Sequence, residues 1–289
     1  MIRKYNQFVF LENPDIKSSH IILFVFWIYL LQPINAQTRD QKSVYWQLGV
    51  GNTYLYDNYL SPLPHTGISV LFSNGNMKPL KWGLPDSAKI SFDDVKWFSR
   101  CNYSINPVYG QSSTGSTLLY GNIDLRKSIL RQIVSDPKYH ISTGAFAALS
   151  GGGRYSIHNG NNPASLDAMF DLGITVFSDY KFTFWKKSMI VSYQGSMAMV
   201  GLAFSPEYAE SYYEIFYLSN HKNIIKFTNP INKQHWRQQL SLNIPISGRK
   251  SSFRVSYWNE GRISLFNNIR TRVLSNHFSV GYISYFSIL

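Results

Sequence analysis

Between residues 165 and 185 the side chains alternate for far longer than in an ordinary strand. Leu166, Ala168, Phe170, Leu172, Ile174, Val176, Tyr180, Phe182 and Phe184 share one phase, and Asp167, Asp171, Gly173, Thr175, Asp179, Lys181 and Thr183 share the other. A two-residue period is that of a β-strand with one apolar and one polar face. Globular strands usually run about five or six residues. A bilayer covers about 9–11 tilted residues and leaves room for an extension beyond it, so the segment reads as a barrel strand. In a chain that is 44% apolar, chance alone yields roughly one such window, and recurrence has to carry the argument.

The pattern does recur. Over 43 to 57, Val44, Trp46, Leu48, Val50, Tyr54 and Tyr56 oppose Ser43, Gln47, Gly49, Gly51, Thr53 and Asp57. Leu60 to Pro64 reads as a turn with two prolines, and a second strand is expected from Ile68 to Asn74-Gly75-Asn76. From 87 to 106 the phases mix, which predicts a bulge or a break; 115 to 125 reads as strand, and 126 to 134 as a strand extension or a short helix. Alternation resumes over 138 to 150, with Gly151-Gly152-Gly153 and Asn159 to Pro163 expected as turns or loops. Lys186-Lys187-Ser188 joins the long strand to 189–204 as a hairpin. Residues 205 to 221 break the pattern; Trp236 to Ile246 and Phe253 to Tyr257 then form another hairpin about Ser247 to Lys250. Finally Phe278, Val280, Tyr282, Phe286 and Ile288 carry an aromatic face to the end of the chain, where an outer-membrane barrel has its closing strand, although Leu289 departs from the usual terminal aromatic.

On the apolar phases of 44–56, 166–184, 236–246 and 278–288 there is no Lys, Arg, Asp or Glu, whereas Asp167, Asp171, Arg237 and Arg254 fall on the opposite face. An Arg or Lys at the bilayer midplane costs about 2–4 kcal/mol, so this segregation is what a barrel with a polar lumen requires. The expected fold is all-β, a transmembrane antiparallel up-and-down barrel of ten to twelve strands, with twelve preferred as an even number. Composition agrees: aromatics are 16% and charged residues only 15%, a mixture favouring strands and turns over helix.

Ile21 to Leu31 is an unbroken apolar run, preceded by Arg3, Lys4 and Lys17 and followed by Pro33 and Ile34-Asn35-Ala36. It is shorter than the roughly 20 residues needed to span a bilayer and has the order of an export signal. Residues 1–36 are therefore read as a signal peptide cleaved after Ala36, and 37–289 as a single barrel domain in the bacterial outer membrane. Cys101 is the only cysteine, so no internal disulfide can form. The net charge of +12 is spread through the chain, which with export argues against nucleic acid and towards phosphate-bearing lipid headgroups as the acidic partner. The expected partners are outer-membrane lipids, lipopolysaccharide and the barrel-assembly machinery.

Several short motifs occur together: Tyr56-x-x-Tyr59-Leu60-Ser61-Pro62, Asn159-Gly160-Asn161-Asn162-Pro163, Phe204-Ser205-Pro206-x-Tyr208 with Ser211-Tyr212-Tyr213-Glu214, and Asn243-Ile244-Pro245. In these the chain resembles an uncharacterised family from Bacteroides and related bacteria, catalogued as domain of unknown function 3316. The resemblance covers almost the whole mature chain and implies an exported envelope barrel. It brings no activity and no catalytic residues.

The one constellation with a catalytic flavour is His-x-Ser, as His140-Ile141-Ser142 and His277-Phe278-Ser279. A spacing of two places both side chains on one strand face, so an imidazole could take the hydroxyl proton. The arrangement resembles those of outer-membrane phospholipase and the lipid A deacylase barrel. In that phospholipase, however, the pair faces lipid, and here both pairs fall on the polar phase. No third residue stands out to orient either histidine. The acidic and aromatic cluster Glu207, Glu210, Glu214, Tyr208, Tyr212 and Tyr213 is a candidate for ligand binding, weighed against a loop with tyrosines at a membrane interface. Gly151-Gly152-Gly153 lacks the Lys-Ser/Thr of a phosphate loop, and no cofactor or metal motif is present. A structural, ligand-binding or narrow-pore barrel is the leading expectation. The alternatives are a lipid hydrolase using a His-x-Ser pair and a soluble exported β-sandwich that binds sugar.

Overall fold

The computed structural model describes residues 41–287 except 81–96, 161–162, 185–186, 209, 220–221 and 247–249. The proposed signal peptide, the part of the 87–106 irregularity before 97, and Ile288-Leu289 lie outside the described residues. The described residues form one compact unit.

The strands are β1 (Gln41–Asp57), β2 (Ser61–Leu80), β3 (Trp97–Gln111), β4 (Thr117–Ser135), β5 (Tyr139–Ser156), β6 (Ala164–Phe184), β7 (Lys187–Phe204), β8 (Ile225–Thr228), β9 (Lys233–Pro245), β10 (Ser251–Phe266) and β11 (Ile269–Ser287), with a one-turn helix α1 (Tyr212–Phe216) between β7 and β8. From β1 to β8 and from β9 to β11 consecutive strands pair antiparallel, and β11 returns to pair with β1 along the whole length of β1, from Gln41 with Ser287 to Asp57 with Thr271. The sheet is closed. Both β8 and β9 pair with β7, Gly201–Phe204 meeting β8 and Ile190–Met197 meeting β9. The two short strands thus make one stave interrupted by Asn229–Asn232. The barrel has ten staves rather than the twelve preferred from the sequence, because the break in pattern at 205–221 leads into a split stave and adds no further pair. Following the register once around the wall displaces it by about 12 residues, so the staves tilt by roughly 40°.

Burial follows the two-residue period on every stave. Along β6, Ser165, Asp167, Met169, Asp171, Thr175, Phe177 and Asp179 are buried, while Leu166, Phe170, Leu172, Ile174 and Val176 are exposed. The molecule is inside-out: Thr53, Asp57, His65 and Asp124 are 0% exposed, whereas Ile68 is 74% and Phe278 69% exposed. Soluble proteins show the reverse preference. The outer wall is apolar and is bounded by two zones of aromatics. Trp46, Trp97, Tyr180, Phe182, Tyr282 and Phe286 lie toward the end that holds both strand termini, and Tyr54, Tyr56, Tyr109 and Tyr155 toward the opposite, loop end.

Local expectations were met unevenly. Residues 126–134 are strand, within β4. Ser61 to Pro64 belongs to β2 rather than to a turn. Pro62 and Pro64 fit there because β2 pairs with β3 only from Thr66 onward, so their missing N–H groups interrupt no ladder bond on that side. Gly151-Gly152-Gly153 lies inside β5 and not in a loop. A Cβ on Gly152 would collide with the Gly121 carbonyl oxygen of β4, so the glycine permits the two backbones to approach.

Candidate functional site

The lumen is filled by inward side chains from all ten staves, and its middle layer is ionic. Asp124 and Arg126 project from β4, Arg237 from β9, and Glu260 and Arg262 from β10 on the opposite wall. Arg237 donates through Nη1 to Asp124 Oδ1 at 2.9 Å and through Nε to Glu260 Oε2 at 3.1 Å. Arg262 donates to Glu260 Oε1 at 2.7 Å and to Asn122 Oδ1 at 2.8 Å. Ser150 Oγ donates to Asp124 at 2.8 Å, Arg126 lies 3.8 Å from the same carboxylate, and Arg126 also bonds Ser196 Oγ on β7. His235 stands between two carboxylates, its Nδ1 2.7 Å from Asp171 and its Nε2 3.2 Å from Glu260, and Lys233 Nζ donates to Asp171 at 2.7 Å. The pairs are desolvated by the surrounding wall, so completeness matters more than any single bond: a buried ion pair gains little over apolar packing, but an orphaned buried charge is expensive.

Toward the loop end, Arg154 bridges Asp57 at 3.4 Å and Asp167 at 3.0 Å and lies over the Tyr120 ring at 5.3 Å. Above it Leu55, Leu60, Val108, Leu118, Tyr120 and Val273 form a buried apolar roof, with Tyr59 packed against it. Toward the terminus end, Arg254 stacks on the Tyr45 ring at 4.6 Å and Arg100 on Phe177 at 4.7 Å. Phe98, Leu130 and Phe177 form the matching floor, with Met77 against it. An ionic layer thus lies between two buried apolar clusters, one toward each end of the lumen.

Both His-x-Ser pairs point into this lumen. Gln132 Nε2 lies 3.3 Å from His140 Nδ1, and Ser142 is buried near the terminus end. His277 Nε2 lies 2.8 Å from Ser69 Oγ of β2, reaching across Gly51 of β1, the residue in register with both. Ser69 in turn accepts from Thr53 at 2.9 Å, while Ser279 Oγ donates to the Ser256 carbonyl at 3.4 Å. The hydroxyl nearest His277 is thus Ser69, from a different strand, and not the one two residues along.

The tyrosine and glutamate candidates gather on the loop end around α1. Ser211 caps the helix, accepting from Glu214 N at 3.3 Å, while Glu214 accepts from Ser211 N at 2.7 Å, the reciprocal pair of a capping box. Glu214 is therefore engaged locally, its carboxyl held below its usual range by the Ser211 backbone and side-chain hydrogen bonds. Tyr212 accepts from Leu166 N at 2.6 Å and stacks on Phe216. Tyr213 stacks on Tyr217 at 4.8 Å, and both stay exposed, as do Tyr208, Leu218, Ile225 and Phe227. Tyr59 Oη donates to the Glu210 carbonyl at 2.9 Å, tying this loop to the β1–β2 turn.

Sequence reading missed Asp124, Arg126, His235, Glu260 and Arg262. Their only signal is membership of the inward phase, and Asp124 and Arg237, 113 residues apart, meet only when the sheet closes.

Residues 21–289 match the family described as Protein of unknown function (DUF3316). No curated protein sequence matches the chain. Among solved structures, the outer membrane protease OmpT from Escherichia coli aligns at 10% identity over 87% of this chain and 99% of that chain, with a TM-score of 0.49. The transport unit of the autotransporter AIDA-I from Escherichia coli aligns at 7% identity over 89% and 94%, TM-score 0.45. The translocator domain of the autotransporter NalP from Neisseria meningitidis aligns at 7% identity over 94% and 98%, TM-score 0.39.

Proposed function

We propose that this chain, which belongs to the DUF3316 family, is an outer-membrane barrel that serves as a structural or ligand-binding element of the envelope and acts through its outer wall and loop end, not as a pore. The observation that carries the reading is the ionic layer joining β4 to β9 and β10 across the lumen, with the buried Leu55–Leu118 cluster above it and Phe98, Leu130 and Phe177 below it. A conducting lumen needs a continuous polar path, and a buried apolar cluster toward each end supports a lumen without one. The apolar outer wall between aromatic zones supports the membrane assignment. The short turn Asp136–Lys138, which shares an end with the start of β1 and the end of β11, then faces the periplasm, and α1 with its exposed aromatics sits at the outer interface.

Two measurements test this. Envelope fractionation should recover the protein in the outer membrane as a band whose gel migration changes on boiling; recovery in a soluble fraction overturns the membrane reading. Purified protein in a planar bilayer should then show no steady conductance, and a reproducible single-channel current through the unmodified protein overturns the closed-lumen reading.

A further inference from the structure

The outer wall of β2–β4 carries a feature that a uniform lipid-facing surface does not need. Lys127, exposed on the outward phase of β4, is in register with Cys101 of β3 and Ala147 of β5. Arg131, also outward, lies two periods of the alternation further toward the terminus end, 5.9 Å over the Trp97 ring. Lys78 of β2 is level, through Ser99, with Ile129, and so stands between the two along the strands. Three cations thus face outward on the two staves that flank β3, one on β2 and two on β4. Ser99, on the same phase in their midst, has a covered hydroxyl with no hydrogen-bond partner.

Directly toward the loop end from Lys127 the wall is indented. A groove of about 420 Å³ is lined by Tyr103, Leu125, Lys127, Ala147, Leu149 and Phe170. The wall is indented at Ala147 because that stave presents a methyl group between Lys127 of β4 and Leu172 of β6. The groove is mostly apolar, with Asn74 and Asn76 of β2 along one side, and its one charged group on the outer wall, Lys127, stands at the foot nearest the terminus end.

We infer that this face binds one anionic glycerophospholipid of the periplasmic leaflet, its phosphate on Lys78, Lys127 and Arg131 and one acyl chain in the groove over Ala147. The order of the parts decides the occupant: with the termini at the periplasmic side, a lipid of that leaflet has its headgroup below and its chain running toward the midplane, as the cations and the groove do. Charge complementarity sets the headgroup. Trp97 covers Arg131 at the level where aromatic rings and phosphates meet, and Lys127 can lower its ammonium along its alkyl stem toward the same phosphate. The inference rests on the membrane reading above.

The test is native mass spectrometry of the full protein in neutral detergent, titrated with phosphatidylglycerol and, separately, with phosphatidylcholine of the same chains. One phosphatidylglycerol should be retained at concentrations where phosphatidylcholine is not. Lys78→Gln, Lys127→Gln and Arg131→Gln should each weaken retention about fivefold, and Ala147→Phe should reduce it by filling the groove. In every variant the shift on boiling shows that the barrel has closed. Equal retention of the two lipids, or retention unchanged in the triple Gln variant, overturns the headgroup site; unchanged retention by Ala147→Phe overturns the chain groove. Each of these failures would leave outer-membrane recovery intact, whereas recovery in a soluble fraction would remove the reading on which the site depends.

Discussion

Replacing Asp124 by Asn keeps the side-chain volume and removes one buried negative charge. Asp124 is fully buried and accepts from Arg237 at 2.9 Å and Ser150 at 2.8 Å, with Arg262 at 3.7 Å and Arg126 at 3.8 Å. Arg237 and Arg262 retain Glu260, so their loss is partial. Arg126 has no other carboxylate within ion-pair distance among the described residues, and it keeps its bond to Ser196 and its contact with the Phe146 ring at 4.3 Å. At an effective dielectric of 20, a unit pair 4 Å apart is worth about 4 kcal/mol, and breaking a buried pair from one side costs about 3–5 kcal/mol. Asp124→Asn should therefore destabilise the folded barrel by about 3–5 kcal/mol. The assay is reversible urea unfolding in lipid vesicles followed by tryptophan fluorescence. Trp258, 1% exposed with Arg237 over its ring at 5.4 Å, reports directly on the layer. A loss below about 1 kcal/mol, the value of a solvent-screened pair, would mean that the lumen is wet and the argument for a sealed interior is wrong. The double replacement Asp124→Leu with Arg126→Met should recover most of the loss, because an apolar pair of similar size leaves neither charge orphaned.

Further expectations concern the wall and the loop end. The Trp236 ring lies across Gly261 on the neighbouring strand, where a Cβ would overlap the ring; Gly261→Val should cost about 1–3 kcal/mol in the same unfolding assay, and a neutral result would show that the ring is free to leave. Tyr59 is pushed up from 10.0 to about 12, by burial first and then by Tyr212 and Asp57. Because its folded value lies above its unfolded one, its contribution is complete below pH 10 and is lost as pH rises through about 12. The tyrosinate absorbance removed by Tyr59→Phe should accordingly titrate near 12; a difference spectrum complete by pH 10 contradicts the burial argument. Ser211→Ala deletes the N-cap of α1 and should loosen that turn by about 1 kcal/mol, seen as faster proteolysis within 212–217, with an unchanged cleavage rate as the refuting result.

How much of this could be read from the chain varies by element. Over 44–56 of β1, 166–184 of β6, 236–244 of β9 and 278–286 of β11 the outward phase carries no charge, so periodicity alone assigned each of those side chains to its face. In β4 it could not. Lys127 and Arg131 sit on the outward phase among Leu125, Ile129 and Ile133, and this mixture made 126–134 equally readable as a helix. Residues 61–64 and 151–153 look like turns because proline and glycine usually mark them, but here proline occupies unpaired strand edge and glycine lets neighbouring backbones close up.

The sequence by itself determined an all-β chain of long two-faced strands, which side chains lie on each face, and closure by its last strand. Those are local consequences of a two-residue period, and any register preserves them as long as it shifts by even steps. Tertiary structure decided the number of staves, the merging of β8 and β9 into one, and the identity of every partner inside the lumen. Register and tilt are properties of the closed cylinder, not of any strand. They bring Asp124 to Arg237 and His277 to Ser69 across spans of chain that carry no record of each other.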